Sequence, residues 1–152
     1  MSPDQLTAFL RHSIPLLNAV DIQVRVCTPQ RIVVAAPLAA NRNHHQTAFG
    51  GSLALMSILS GWALVHVGLA AEQLDARLVV QRSECRFDLP VGGELISEAL
   101  RPPEAWDHFI AALRSRGRSR VDLQTRVLGD TGDAVLQHAT FAASLHPGHR
   151  AP

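Results

Sequence analysis

Asn41-Arg42-Asn43-His44-His45-Gln46-Thr47-Ala48-Phe49-Gly50-Gly51-Ser52 leads directly into Leu53-Ala54-Leu55-Met56-Ser57-Ile58-Leu59-Ser60-Gly61-Trp62-Ala63-Leu64-Val65. The first stretch is polar and ends in paired glycines, whereas the second is apolar on every side of a helix. A helix that is apolar all round must be covered by the rest of its domain. Its first turn presents N–H groups with no intrahelical partner, and their partial positive charge favours a polar or anionic ligand in the preceding loop. Chemistry is therefore expected at this junction. Leu53 to Ala71 is also near the length that crosses a bilayer. Ser57, Ser60 and His66 interrupt it and no basic cluster flanks it, so a buried core helix is expected and a membrane span is not.

The rest of the chain supplies a cover. Residues 3–12 read as a short amphipathic helix with Pro3 at its start and Leu6, Phe9 and Leu10 on one side. Residues 21–26 alternate as a half-buried strand, Pro29-Gln30 turns, and 31–36 is a second strand rich in β-branched residues. After the central helix, Gln81, Ser83, Cys85, Phe87 and Leu89 share one strand face, and Arg82, Glu84, Arg86 and Asp88 the other. Pro90-Val91-Gly92-Gly93 turns into a fourth strand at about 94–100. Pro102-Pro103 opens a second amphipathic helix with Trp106, Phe109, Ile110 and Leu113 at helical spacing. Val121, Leu123, Thr125 and Val127 alternate in a fifth strand, and Gly129 to Asp133 links it to a last strand at about 134–145. The order predicts an α+β domain, an antiparallel sheet wrapped around one long helix.

Composition narrows the function classes. A chain of 152 residues with 47% apolar and 18% charged residues suits one domain, read as 1–146 with a loose tail over 147–152. The formal net charge of +1 gives no general case for nucleic acid. Cys27 and Cys85 lack the spacing of a disulfide framework or zinc ribbon, and the first twenty residues lack the pattern of a secretory leader. Reduced thiols and a cytoplasmic location are the expectation.

Three short motifs, in order, resemble the hotdog-fold acyl-CoA thioesterases. Asn43 to Gly51 resembles the loop that runs from an asparagine to a His-Gly-Gly in phenylacetate-pathway-type members. Phe87-Asp88-Leu89-Pro90-Val91-Gly92-Gly93-Glu94 resembles the Pro-Val turn after the third strand, and Gly117 to Val121 with Gly132 resembles the C-terminal hairpin. Thr47 to Leu53 with Ser60-Gly61-Trp62-Ala63-Leu64 is most similar to the thioesterase-type domain at the C-terminus of YiiD-type proteins.

The resemblance implies an oxyanion hole at the Gly50 N–H and a water- or thioester-orienting role for Asn43. It also implies a homodimer or dimer of dimers acting on acyl-CoA or acyl-carrier-protein thioesters, with no cofactor beyond the coenzyme A of the substrate. Two family positions depart from the pattern: the histidine before the glycines is Phe49, and the helix carboxylate falls on Ile58. No Asp or Glu occurs from Asn41 through Ala71. His45 is the candidate base, because an imidazole titrates near neutrality. Gln46 and Thr47 are candidates to hold water. Phe49, Gly51, Ser57, Ser60 and Trp62 are candidate substrate contacts, Trp62 along an acyl tunnel. For the two serines the competing reading is a hydroxyl bonded to its own helical turn.

Adjacent His44 and His45 are expected to point apart and lack a third ligand, so no metal is expected. Glu84 either reaches the site from a partner subunit or, as its polar strand face favours, is a solvated strand residue. Arg114 to Arg120 places four arginines in one run, either as a solvated helix end or, through Arg118 and Arg120, as a dock for coenzyme A phosphates. No aromatic platform accompanies them, which disfavours nucleic acid. Two other functions remain open: a non-catalytic acyl-CoA or acyl-carrier binding module, supported by the missing carboxylate, and a hotdog dehydratase or isomerase, which would need an acidic helix partner.

Overall fold

The structure is a computed structural model that describes residues 1–146; the tail read at 147–152 lies outside the described residues. Helix α1, Pro3–Ser13, begins with a reciprocal cap: the Gln5 N–H donates to Ser2 Oγ at 3.2 Å, and the Ser2 N–H donates to Gln5 Oε1 at 2.8 Å. Leu6 and Leu10 are buried. A short helix not anticipated from sequence, α2 (Leu16–Val20), ends at Asp21, whose φ of 58° places it in the left-handed region. Asp21 therefore closes a helix, and the first strand, β1, runs Gln23–Cys27.

Strand β2 is Arg31–Ala36, and one helical turn, α3 (Leu38–Asn41), leads to the loop before the central helix α4, Gly50–Ala71. Then come β3 (Ala76–Phe87), β4 (Leu95–Leu100), α5 (Pro103–Arg116), β5 (Arg118–Leu128) and β6 (Asp133–Leu145). Gly117 adopts φ +72° between α5 and β5, a conformation that a Cβ disfavours. The six strands form one antiparallel sheet in the order β1-β2-β4-β5-β6-β3.

Alternation sets the sheet's two faces. Val121, Leu123, Thr125 and Val127 of β5 and Val135, Gln137, Ala139, Phe141 and Ala143 of β6 are buried, and this face holds α4. Arg118, Arg120, Asp122, Gln124 and Arg126 lie on the other face. Strand β3 starts earlier than the sequence reading placed it and carries a bulge. Val80 pairs with Phe141 and Arg82 with Thr140, so Gln81 is the extra residue. Ser83, Cys85 and Phe87 keep the shared face expected of them, whereas Gln81 leaves it.

The central helix is long and apolar enough to cross a membrane by composition, and here it is the core of the fold. Two glycines let it approach its cover. A Cβ at Gly61 would lie 2.9 Å from Phe141 ring carbons, and one at Gly68 2.4 Å from Trp106 Cη2. Trp106, Phe109, Ile110 and Leu113 of α5 are buried as their spacing predicts. On the far face, Glu98 is buried between Arg31 and Arg126, bonded at 2.7 Å to each Nε. Burial pushes the Glu98 carboxyl up, but the hydrogen bonds and charges of Arg126 and Arg31 outweigh it and hold the group below the usual range.

Candidate functional site

The loop that opens α4 is built by Asn43. Its Oδ1 accepts from the His45 N–H at 2.8 Å and the Thr47 N–H at 3.2 Å, while Nδ2 donates to Thr47 Oγ1 at 3.1 Å. The Asn43 N–H donates to the Thr47 carbonyl at 2.7 Å, closing a tight turn. Gln46 sits in that turn at φ 64°, a conformation that costs a non-glycine residue roughly 1 kcal/mol, and its Oε1 accepts from Arg42 Nη1 at 3.1 Å. The Asn43 side chain is thus engaged in holding the loop. The loop is also tied outward: the Ala48 N–H donates to the Val91 carbonyl at 2.8 Å and the Phe49 N–H to the Asn41 carbonyl at 2.7 Å. Two motifs far apart in sequence, the glycine loop and the Pro-Val turn, are therefore one construction.

Phe49 is the N-cap of α4 and has no side-chain acceptor for the first turn. The first backbone bond of the helix runs from the Leu53 N–H to the Phe49 carbonyl at 3.1 Å. Among the described residues, the N–H groups of Gly50, Gly51 and Ser52 have no backbone or capping partner. Two exposed aromatic rings frame them. The Phe49 ring lies over Gly51, where a Cβ would be 2.2 Å from Phe49 Cε1; Phe87 Cε1 lies 3.8 Å from the Cβ position of Gly50.

From this mouth a half-buried stripe runs down α4 at helical spacing: Leu55, Ile58, Trp62 and His66. Along the middle of the helix these side chains are only half covered by the rest of the chain. Trp62 donates from Nε1 to the Leu78 carbonyl at 3.4 Å and stacks on His66 at 4.9 Å, with Phe9 on the other side of His66 at 5.0 Å. Burial pushes the His66 imidazole down from its ordinary pKa. Ile58 puts an aliphatic side chain on this stripe where the resemblance expects a carboxylate.

Ser57 and Ser60 are fully buried. Ser57 Oγ donates to the Leu53 carbonyl at 3.0 Å; Ser60 Oγ lies 3.1 Å from the Ser57 carbonyl and 2.9 Å from Ser97 Oγ. The structure therefore places both hydroxyls inside the core with internal partners, away from the mouth. His45 is exposed, its ring 3.8 Å from that of His44 and tilted by 43°. The two rings lie together, a correction to the expectation that they point apart. Glu84 is exposed and paired with Arg82 at 2.9 Å. Arg118 and Arg120 occupy the sheet face opposite α4, and ten residues of β3 separate the Phe87 end beside Gly50 from the Arg77 end beside them, about 30 Å of strand.

One polar chain escaped the sequence reading. Thr125 Oγ1 lies 3.3 Å from the Ser57 carbonyl and donates to Gln137 Oε1 at 2.9 Å; Gln137 Nε2 donates to Ser83 Oγ at 2.9 Å. Gln137 is fully buried, so these bonds fix it, and Ser83 keeps its own proton to donate. The chain crosses the helix-facing side of the sheet from the level of Ser57, beside Ile58, to the β3 edge. Its signal was a polar residue in the apolar phase of a strand, at Thr125 and again at Gln137.

An antiparallel sheet wrapped around a single apolar helix, with free N–H groups at the helix start, defines the hotdog class. The chain belongs to the family described as "Putative thioesterase (yiiD_Cterm)", whose model matches residues 3–144. Among solved structures it is similar to a protein of unknown function from Chlorobaculum tepidum TLS, at 23% identity and TM-score 0.89, covering 95% of this chain and 98% of that one. It is also similar to a "putative thioesterase from Shewanella oneidensis", at 23% identity and TM-score 0.83, with 95% and 97% covered. A thioesterase from Haemophilus influenzae matches at 12% identity and TM-score 0.73, with 98% and 95% covered. These likenesses show the fold; the thioesterase-like role comes with the family.

Proposed function

We propose that the protein hydrolyses acyl thioesters of coenzyme A or of a carrier protein at the mouth of α4. The observation that carries this reading is the row of unpartnered N–H groups at Gly50, Gly51 and Ser52, opening between two aromatic rings onto the apolar stripe of Leu55, Ile58 and Trp62. The thioester carbonyl accepts from the Gly50 N–H, which stabilises the oxyanion as it forms. The acyl chain lies along the stripe, in contact with Phe49 and Trp62, and Thr47 and Gly51 border the mouth. Water adds to the carbonyl carbon and its proton passes to the His45 imidazole. The C–S bond then breaks, and the imidazolium of His45 returns that proton to the departing thiolate. Asn43 acts as a positioning residue that fixes the loop, and Gln46 borders the water. Ser83, held by Gln137, supplies the polar contact that Ile58 does not. No cofactor takes part beyond the coenzyme A of the substrate.

The working unit is a homodimer, or a dimer of such dimers. Its support is the open β3 edge with Val79, Val80 and Phe87 each more than two-fifths exposed, because an unpaired apolar edge strand invites pairing with a second copy. One observation favours a second reading, a binding module without turnover: Ile58 occupies the open stripe and no acid lies on α4.

Thiol release from acyl-CoA tests both readings. His45→Ala is expected to lower the rate at least about tenfold, in the range typical of a lost general base, with unfolding unchanged. A wild-type rate in that variant would remove His45 from the mechanism. Tight binding of acyl-CoA with no release would select the binding module.

A further inference from the structure

Every cationic side chain in this protein other than histidine is an arginine. Arg11, Arg25, Arg31, Arg82, Arg86, Arg114 and Arg126 each lie within salt-bridge distance of a carboxylate. Arg42 is bonded to Gln46, and Arg101 lies 5.5 Å from the centre of the Trp106 ring. Among the described residues four remain: Arg77, Arg116, Arg118 and Arg120. All four line one groove of about 680 Å³, and among the described residues none is paired with a carboxylate.

Strand register explains the convergence. Ser144 pairs with Arg77 on one side and Arg118 on the other; Ala142 pairs with Val79 and Arg120. The floor of the groove is thus made of small residues, and the guanidinium groups rise around it. Neighbouring strands are about 4.8 Å apart, so the Cα atoms of Arg77 and Arg118 are separated by roughly 10 Å. At that spacing the charges repel. Asp122, the next carboxylate along this face of β5, accepts from Thr140 and lies within salt-bridge distance of none of the four.

We propose that this groove binds a ligand bearing two or more phosphate groups. Arginine forks match phosphate oxygens geometrically, and the volume falls within the range of small-molecule sites. The site goes beyond the hydrolytic reading and does not depend on it. Its ligand is the nucleotide half of coenzyme A or a free nucleotide. Antiparallel pairing of two β3 edges would bring the Arg77 end of one chain beside the Phe87 end of the other, which gives the first source a route to the partner's helix.

Calorimetric titration of the full chain with an adenosine bisphosphate, and separately with inorganic pyrophosphate, tests the site. The wild type is expected to bind both, with affinity falling steeply as salt rises. Arg118→Gln with Arg120→Gln should weaken binding at least about tenfold, about 1.4 kcal/mol. Arg82→Gln, on the same face outside the groove, should leave binding unchanged. No binding by the wild type, or equal loss in the Arg82 variant, would overturn the proposal. A bisphosphate that raises KM for acyl-CoA identifies the nucleotide half of coenzyme A as the ligand, and binding without competition identifies a free nucleotide. Because the readout is binding, it stands apart from any failure of the protein to hydrolyse thioesters.

Discussion

Gly50→Pro removes the proposed oxyanion donor and little else. Backbone N–H groups are ordinarily beyond the reach of mutation, but Gly50 is the first residue of α4, where proline is tolerated because that N–H has no helical partner to lose. Phe49 has φ −67° and ψ 132°, the extended conformation that a residue before proline prefers. The nearest atom to a Cβ at Gly50 is Phe87 Cε1 at 3.8 Å, an ordinary contact. The variant should therefore fold with stability close to wild type. Loss of one oxyanion donor typically costs about 3 kcal/mol, or ~100-fold in kcat. Gly50→Ala keeps the N–H and fits the same space, so its rate should stay within about threefold of wild type, less than 0.7 kcal/mol of barrier. Thiol release measured beside thermal unfolding separates chemistry from folding. A folded proline variant with an unimpaired rate would refute the role of the Gly50 N–H.

Three further outcomes follow from packing and charge. Gly68→Ala puts a methyl 2.4 Å from the rigid, buried Trp106 ring; overpacking of about 1–3 kcal/mol should exceed the ~1 kcal/mol gained from replacing a helical glycine. Urea denaturation should show a net loss, and a stabilised variant would contradict the packing. The depressed Glu98 pKa contributes stability that is present above the unfolded carboxylate value of about 4.3 and is lost as pH falls through the lower folded value. Glu98→Gln should flatten the acid limb of stability against pH; an unchanged slope would dismiss the Arg31–Glu98–Arg126 cluster as its source. Val80→Asp, at a position 41% exposed on the β3 edge, should leave the fold intact and shift sedimentation toward a monomer. An unaltered assembly would move the interface elsewhere.

Much of the fold was legible because its elements are locally consistent. An all-apolar helix, alternating strands and proline-led helices each announce themselves through period and punctuation. The bulge at Gln81 was not legible: one extra residue in a long strand changes the facing of its neighbours without leaving a turn signal. The short helix before Asp21 is fixed by a left-handed cap that aspartate adopts without advertising it.

The site divides similarly. Gly50 and its loop could be read from the sequence, because a polar run ending in paired glycines before an all-apolar helix marks a helix start. Asn43 proved to be bonded back into its own turn, a matter of side-chain direction that spacing does not encode. Ser57 and Ser60 sit on a helix apolar all round, where no periodicity distinguishes a lining face from a packed one. Arg118 and Arg120 were visible as a run, but Arg77 joins them only through the pairing of β3 and β5 on either side of β6.

The most direct test is thiol release by the purified protein across acyl-CoAs of increasing chain length, with bound ligand measured in parallel. The expected result is catalysed release for at least part of the series, abolished or sharply reduced by Gly50→Pro. Saturable binding with no release at any chain length would contradict hydrolysis and leave a protein that holds thioesters without cutting them.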